Sequence, residues 1–446
     1  MATVEGFFAV VNEAEKRALA RDEGRRERPA RVPASACAAG AREGGEAALG
    51  NLPKSNSQIR EVLDEKTGEI QRFRLDSKRR EYVQVVDEAV AVNEARSGRL
   101  LLQKVSRNVL KGKKNPRDMD WRVVGCTHRR IASEVAVLRN RATARARFGG
   151  VRICGSVWTC PVCGAKISEH RRLEIHAATD THVRAGGGIY MLTLTFAHKR
   201  SDDVGKLVRA LKYALKLLRA HRTYKQCQRF IDYVGLIRAL EVTFGDANGW
   251  HPHVHELWLT ASKLSRVQVR LVQKEIFDAW RVACVSAGLG EPNRKQGVTF
   301  IQAESAQEYV TKFGREPKWG VGSELAKSHS KRGRLASMTP FDLLRLAGEG
   351  DVRAAKLFET FAVSFYGARQ LFWSRGLKKL FGIDDVSDEE VAVLEEGEAE
   401  LVTRLSADVW RAVLRQPYDA RGLVLELAEG GGEEAVLRFV GSLVES

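Results

Sequence analysis

The chain has 446 residues, 44% hydrophobic and 29% charged, enough for two or three domains and a core that needs no covalent staples. Lys and Arg number 73 against 56 Asp and Glu, a formal net charge of +17, which points to an anionic polymer, nucleic acid first, as partner. No apolar run reaches about eighteen residues, so no membrane helix is expected; without the charged-then-apolar order of a signal peptide, the expected location is cytoplasmic.

Residues 1–115 are rich in Ala, Arg, Glu and Gly, and stretches such as "RRERPARVPASACAAGAREGGEAALG" lack apolar periodicity. They read as a basic, largely disordered region. From Trp121 the character changes. Seven cysteines occur, an odd count that argues against a disulfide framework. Three of them, Cys154, Cys160 and Cys163, sit in "CGSVWTCPVCG". Two residues between Cys160 and Cys163 let both thiolates reach one zinc, as in a structural knuckle. Cys126 in "VVGCTHRR" is the natural fourth ligand and His128 a spare candidate. Cys37, Cys227 and Cys284 read as incidental.

"IYMLTLTFAH" (189–198) has the composition of a buried strand. In the next segment Leu207, Leu211, Ala214, Leu215 and Leu218 recur at helical spacing, while Arg209, Lys212, Lys216 and Arg219 share another face. This predicts an amphipathic helix over 206–222 with Asp202 and Asp203 at its N-terminus, and the basic face is a candidate DNA contact. "YVGLIRALEVTF" (233–244) and "HPHVHELWLT" read as strands joined through an Asn-Gly turn into an antiparallel hairpin. A helix ending at Gly288, a strand "GVTFIQA" and a helix "ESAQEYVTKFG" closed by Gly314 follow. Residues 351–382 read as helical and aromatic, and 386–446 as an acidic C-terminal region. The order predicts an α+β layer with helices on an antiparallel sheet.

The histidines carry the chemistry. His251, His253 and His255 alternate, and alternate residues of a strand share one face, so His253 and His255 can grip one divalent metal. A cupin spacing fails because Glu256 follows His255 directly, and the same Glu256 breaks the apolar pattern of a histidine-triad hydrolase. Glu241, on the strand expected to pair with the histidine strand, is a third candidate ligand that would harden the site toward Mg²⁺ or Mn²⁺.

In order, "YMLTLTF", "HPHVHEL" and "EYVTKFG" resemble the three motifs of HUH endonucleases, and more narrowly the rolling-circle replication initiator (Rep) proteins of bacterial plasmids. The likeness extends to the cysteine segment and to "FYGARQLFWSRGLKKLFG", covering roughly residues 120 to 385. It implies a five-stranded antiparallel sheet flanked by helices. The implied plan is a zinc-knuckle segment at 116–185, an HUH core at 186–320 and a helical extension at 321–385. His253 and His255 match the metal pair and Tyr309 the nucleophile, with Lys312 one turn on, on the same helix face. The implied activity is metal-dependent nicking of one origin strand through a 5′-phosphotyrosine, leaving a 3′-OH primer for host helicase and polymerase. A single-strand transposase, a mobilisation relaxase and a non-catalytic zinc-dependent DNA-binding protein are the rival readings. A relaxase usually carries its tyrosine before the histidines, whereas Tyr309 follows them. Some relatives place a glutamate four residues before the tyrosine; here Ser305 stands there, with Glu304 and Glu308 beside it.

Overall fold

The computed structural model describes residues 59–63, 70–76, 81–84, 88–303, 337–394 and 397–444. The chain divides into two compact units, Met1–Val90 and Ala91–Ser446. In the first, β1 (Ile59–Leu63), β2 (Ile70–Asp76) and β3 (Glu81–Gln84) pair antiparallel in that order. These strands and the whole of helix α1 (Glu88–Leu110) fall within residues 1–115, the region whose composition reads as largely disordered.

The second unit is built on a five-stranded sheet. Its strands are β6 (Gly188–Leu194), β7 (Tyr233–Gly245), β8 (Gly249–Thr260), β9 (Val298–Gln302) and β10 (Leu371–Trp373). Their order is β10-β7-β8-β6-β9, and every pair is antiparallel. The β7–β8 hairpin closes through Asn248 and Gly249. Gly249 has φ +75, and a Cβ there would meet the Arg200 carbonyl oxygen at 2.6 Å, so only glycine fits this turn.

One sheet face carries Tyr190, Leu192, Leu194, Leu240, Val254 and Trp258, all buried. Helices α3 (Val204–Ala220), α4 (Arg222–Phe230) and α5 (Arg266–Ser286) share that core. α3 begins at Asp203, whose side chain accepts from the Lys206 N–H, and it buries Leu207, Leu211, Ala214, Leu215 and Leu218. α5 carries a capping box between Ser265 and Gln268 and buries Val272, Ile276 and Trp280, each worth about 1.5–3 kcal/mol when fully withdrawn from water. The opposite face is covered at one end by a smaller cluster of Ile175, Ile189, Ile237, Leu257 and Leu259. Ile175 belongs to α2 (Pro161–Arg184).

The stretch 351–382 is not helical throughout. After α6 (Pro340–Gly348), α7 (Val352–Ser364) stops, Gly367 takes φ +68, and Leu371–Trp373 form the edge strand β10 before the short α8 (Leu377–Leu380). Pairing with Ile237–Ala239 of β7 supplies β10 with backbone partners; sheet pairing here overrides local helical preference.

The acidic C-terminal region folds with a distant segment. β4 (Val135–Asn140) and β5 (Ala146–Gly149) join β11 (Ala399–Leu405) in the order β11-β4-β5. The short α9 (Asp388–Val393) precedes β11; α10 (Ala407–Arg415), α11 (Ala420–Gly430) and α12 (Gly432–Val444) follow it. Val135, Val137, Trp410, Val424, Val436 and Val440 make their shared core. Its acids meet arginines of the β4–β5 hairpin: Arg139 with Glu400 at 2.6 Å, Arg141 with Glu398 at 3.5 Å, and Arg145 with Glu429 at 3.5 Å. No described helix is long and apolar enough to cross a membrane.

Two candidate metal centres and a basic helix

Among the described residues, two groups of side chains come together as metal sites do: Cys126, Cys154, Cys160 and Cys163, all buried, and Glu241, His253 and His255. The cysteine group is assembled by three pieces of chain. Cys160 is the N-cap of α2, its sulfur accepting from the Cys163 N–H, with Pro161 at the first helical position. Cys126 follows a short 3-10 turn at Arg122–Gly125. Sulfur–sulfur distances are 3.6 Å for Cys126–Cys163 and Cys154–Cys163 and 3.8 Å for Cys126–Cys160. These are far too long for disulfides. They match the edge of about 3.8 Å that a tetrahedron with Zn–S of about 2.3 Å requires.

The surroundings suit thiolates. The Ser156 N–H points at Cys154 Sγ at 3.4 Å, and Gln103 Nε2 donates to Cys160 Sγ at 3.2 Å. The α2 N-terminus brings its positive end to the sulfurs. Four thiols this close do not ionise together unaided: contacts with Cys126, Cys160 and Cys163, then burial, hold the Cys154 thiol well above its ordinary range. A divalent cation removes that obstacle. The four-cysteine group could therefore bind zinc.

His128 is not in this group. Arg421 donates to its Nδ1 at 3.0 Å, and burial, then Arg421 and Arg107, push its pKa down to about 2. Arg421, on α11 and almost wholly buried, also donates to Gln103 Oε1 at 2.8 Å and Thr127 Oγ1 at 2.6 Å, and pairs with Asp419. The C-terminal helices are thus wired to the residues that flank the sulfurs.

The second group sits on the sheet face that α2 covers only in part. Glu241 and His253 are direct cross-strand partners on β7 and β8, and strand alternation turns His255 to the same side. His253 Nε2 lies 3.4 Å and His255 Nε2 3.6 Å from Glu241 Oε2. Each imidazole is held through its other nitrogen: His253 Nδ1 lies 3.1 Å from the His251 carbonyl oxygen, and His255 Nδ1 2.9 Å from Thr193 Oγ1. With Nδ1 so engaged, both rings turn Nε2 toward Glu241, an arrangement common behind a metal-bound histidine. A set of two imidazoles and one carboxylate accepts Mg²⁺ or Mn²⁺ and leaves positions for phosphate oxygens. His251 turns to His198, whose Nε2 is 2.8 Å from its Nδ1. Burial, then His253 and His198, lower the His251 pKa to about 4.

Thr193, Gln103 and Arg421 are partners that composition and motif spacing do not reveal. Only Thr193 leaves a sequence signal, since it sits in the Thr-rich strand facing the histidines. Tyr309 and Lys312 lie outside the described residues, as do Glu304, Ser305 and Glu308. Tyr190 is a structural residue: it is buried, and its hydroxyl accepts from the Leu264 N–H at 2.6 Å.

On α3, Arg209, Lys212 and Lys216 are exposed, as is Lys206. Arg219 departs from that face. Its guanidinium pairs with Glu256 at 3.2 Å, and Glu256 is buried, also receiving hydrogen bonds from the Tyr224 hydroxyl and the Trp258 indole. Arg219 is thus the counter-ion of a core carboxylate. Arg219→Ala is expected to lower stability by about 1–3 kcal/mol in urea unfolding while leaving DNA affinity unchanged. A loss of DNA affinity without a loss of stability would return Arg219 to the binding face.

A protein described as Protein rep from Streptomyces lividans is 27% identical over 374 residues, taking in 68% of this chain and 81% of that protein. A neomycin resistance protein from Streptomyces cyanogenus is 29% identical over 153 residues, 29% of this chain and 35% of that protein. No family model matches the chain, and no solved structure matches it. The Rep likeness carried by the three motifs is therefore met by a relative of that name across most of both chains.

Proposed function

We propose that this chain, a relative of a Streptomyces Rep protein, initiates plasmid replication by the rolling-circle route, as an HUH-type endonuclease that nicks one strand of its origin. The observation that carries the reading is the convergence of Glu241, His253 and His255 on one side of a fully antiparallel five-stranded sheet. The net charge of +17 suits a DNA partner.

In this reading Glu241, His253 and His255 hold Mg²⁺ or Mn²⁺, and Cys126, Cys154, Cys160 and Cys163 hold a structural zinc. Such a cation, held by Glu241, His253 and His255, would supply charge neutralisation that makes the scissile phosphorus a better electrophile. The Tyr309 oxygen gives up its proton and forms a bond to phosphorus. The bond from phosphorus to the 3′ oxygen breaks, and that oxygen leaves as a free 3′-OH. The products are a 5′-phosphotyrosine and a primer end for host polymerase and helicase. Lys312 screens the phosphate or phenolate charge. Arg209, Lys212 and Lys216 contact the flanking backbone.

The test is incubation of the full chain with supercoiled plasmid carrying its own origin, with Mg²⁺ or Mn²⁺. Relaxed circles and a covalent protein–DNA adduct at the 5′ end are expected. An adduct that persists in Tyr309→Phe would remove Tyr309 as the nucleophile.

A further inference from the structure

A cavity of about 940 Å³ opens between the cysteine segment, β7 and the C-terminal helices. Glu241 of the candidate metal site is on its wall, and Arg99 and Arg147 are on the same lining. Phe148, Trp158 and Phe341 contribute aromatic surface, and all three are only partly buried. The volume is at the upper end of cavities that take organic ligands. It has room for a few nucleotides of one strand and none for a turn of duplex.

Arg99 is the informative residue. It projects from α1 and makes no hydrogen bond or ion pair with any described residue. Its neighbour Arg96 is already paired with Glu429 at 2.5 Å. Burial, then the charge of Arg96, lower the pKa of Arg99. A guanidinium withdrawn from water beside a second cation is held at a cost unless an anion arrives. The wall's acids do not supply one. Glu169 is bound by Arg172 at 2.6 Å, and Glu241 is engaged by the two histidines. Lys166 is turned to the Ala392 and Leu394 carbonyls.

We propose that this cavity holds a short single-stranded segment of DNA flanking the cleaved phosphate, with Arg99 and Arg147 contacting its backbone and Phe148, Trp158 and Phe341 offering faces for its bases. Cations that track a backbone, interleaved with aromatic platforms, are the composition of single-strand grooves. Glu241 on the same wall gives the strand its direction, from the metal site toward the C-terminal helices. The inference rests on the DNA-nicking reading for its ligand, yet it concerns a surface that the three motifs do not contain.

The experiment measures binding of a fluorescent single-stranded oligonucleotide to the full chain in EDTA, where no cleavage occurs, across a salt series. The double variant Arg99→Gln, Arg147→Gln is expected to bind about tenfold or more weakly. Its log K against log salt slope should be shallower by about 1.4, the loss of two phosphate contacts at about 0.7 each on a single strand. A folded double variant with unchanged affinity and slope overturns the proposal. In the wild type, 5-iododeoxyuridine placed along the oligonucleotide should photocrosslink to Phe148, Trp158 or Phe341, read by mass spectrometry. Crosslinks confined to α3 overturn it equally. Neither readout involves nicking. A chain that cleaves no origin but shows both effects would lose the proposed activity and keep this binding surface.

Discussion

Replacing His253 and His255 together with alanine should lower the rate of origin nicking by about a thousandfold or more and leave origin binding nearly intact. The magnitude follows from the several kcal/mol of charge stabilisation that a Lewis acid supplies in the transition state, at about 1.36 kcal/mol per factor of ten. Both rings are only partly buried, and neither is in the apolar cluster that closes the far end of the same sheet face. Their removal should therefore not unfold the sheet. A milder change tests the same geometry. Thr193→Ala frees His255 Nδ1 from its 2.9 Å partner and should raise the metal concentration needed for half-maximal nicking by about 10- to 100-fold. The measurement is single-turnover cleavage against Mn²⁺ concentration. Normal nicking by the double alanine variant would mean that the metal sits elsewhere.

Cys163→Ser is expected to have the largest effect on stability. Cys163 lies 3.6 Å from two of the other sulfurs, and the four cysteines are embedded in the main core beside Val157 and Ile167. Structural zinc sites contribute about 10–16 kcal/mol of apparent binding free energy in small peptides at neutral pH. That rivals the roughly 5–15 kcal/mol of net stability of an ordinary domain. The purified wild type should contain zinc, and the variant should lack it and unfold at much lower urea. Cys284→Ala is the control. Cys284 is buried away from the group, and burial alone pushes its thiol up to about 12, so its loss should cost only packing. Metal analysis that finds no zinc in the wild type, or equal stabilities for the two variants, would remove the cysteine group as a metal centre.

Much of this sheet is legible in the residues themselves. The alternation of His251, His253 and His255 states which side chains share a face, and Asn248–Gly249 states where the chain must turn. The spacing of Leu207, Leu211 and Leu218 gives the buried side of α3. The same spacing misleads at Arg219. Periodicity assigns a face but not what the last turn meets, and here it meets Glu256 under the sheet. β10 escapes a sequence reading because three residues set in an aromatic, helix-forming stretch carry no period of their own. Only the open edge of β7 makes them a strand. The pairing of β4 with β11 is invisible for another reason: long-range strand partners are chosen by the assembled core, and neither segment alone says where the other lies. The sequence makes Cys126 the natural fourth ligand and His128 the spare, and what takes His128 out of the group is Arg421, which arrives from the far end of the chain.

The ion pairs of Arg139, Arg141 and Arg145 with Glu400, Glu398 and Glu429 change what the protein's charge means at a distance. These arginines enter the total of +17, but each lies within a few ångströms of a carboxylate, Arg145 sharing Glu429 with Arg96, so they add less to the field that an approaching polyanion meets than their number implies. The exposed cations of α3, Lys206, Arg209, Lys212 and Lys216, stand where electrostatic attraction can orient an incoming strand. A truncation that removes the acidic region does more than shorten the chain. It strips β4 of its neighbour β11 and unmasks a row of bare guanidinium groups that hold any nucleic acid without regard to sequence. Tighter binding by such a truncated protein would therefore report lost discrimination, with no inhibitory segment needed to account for it.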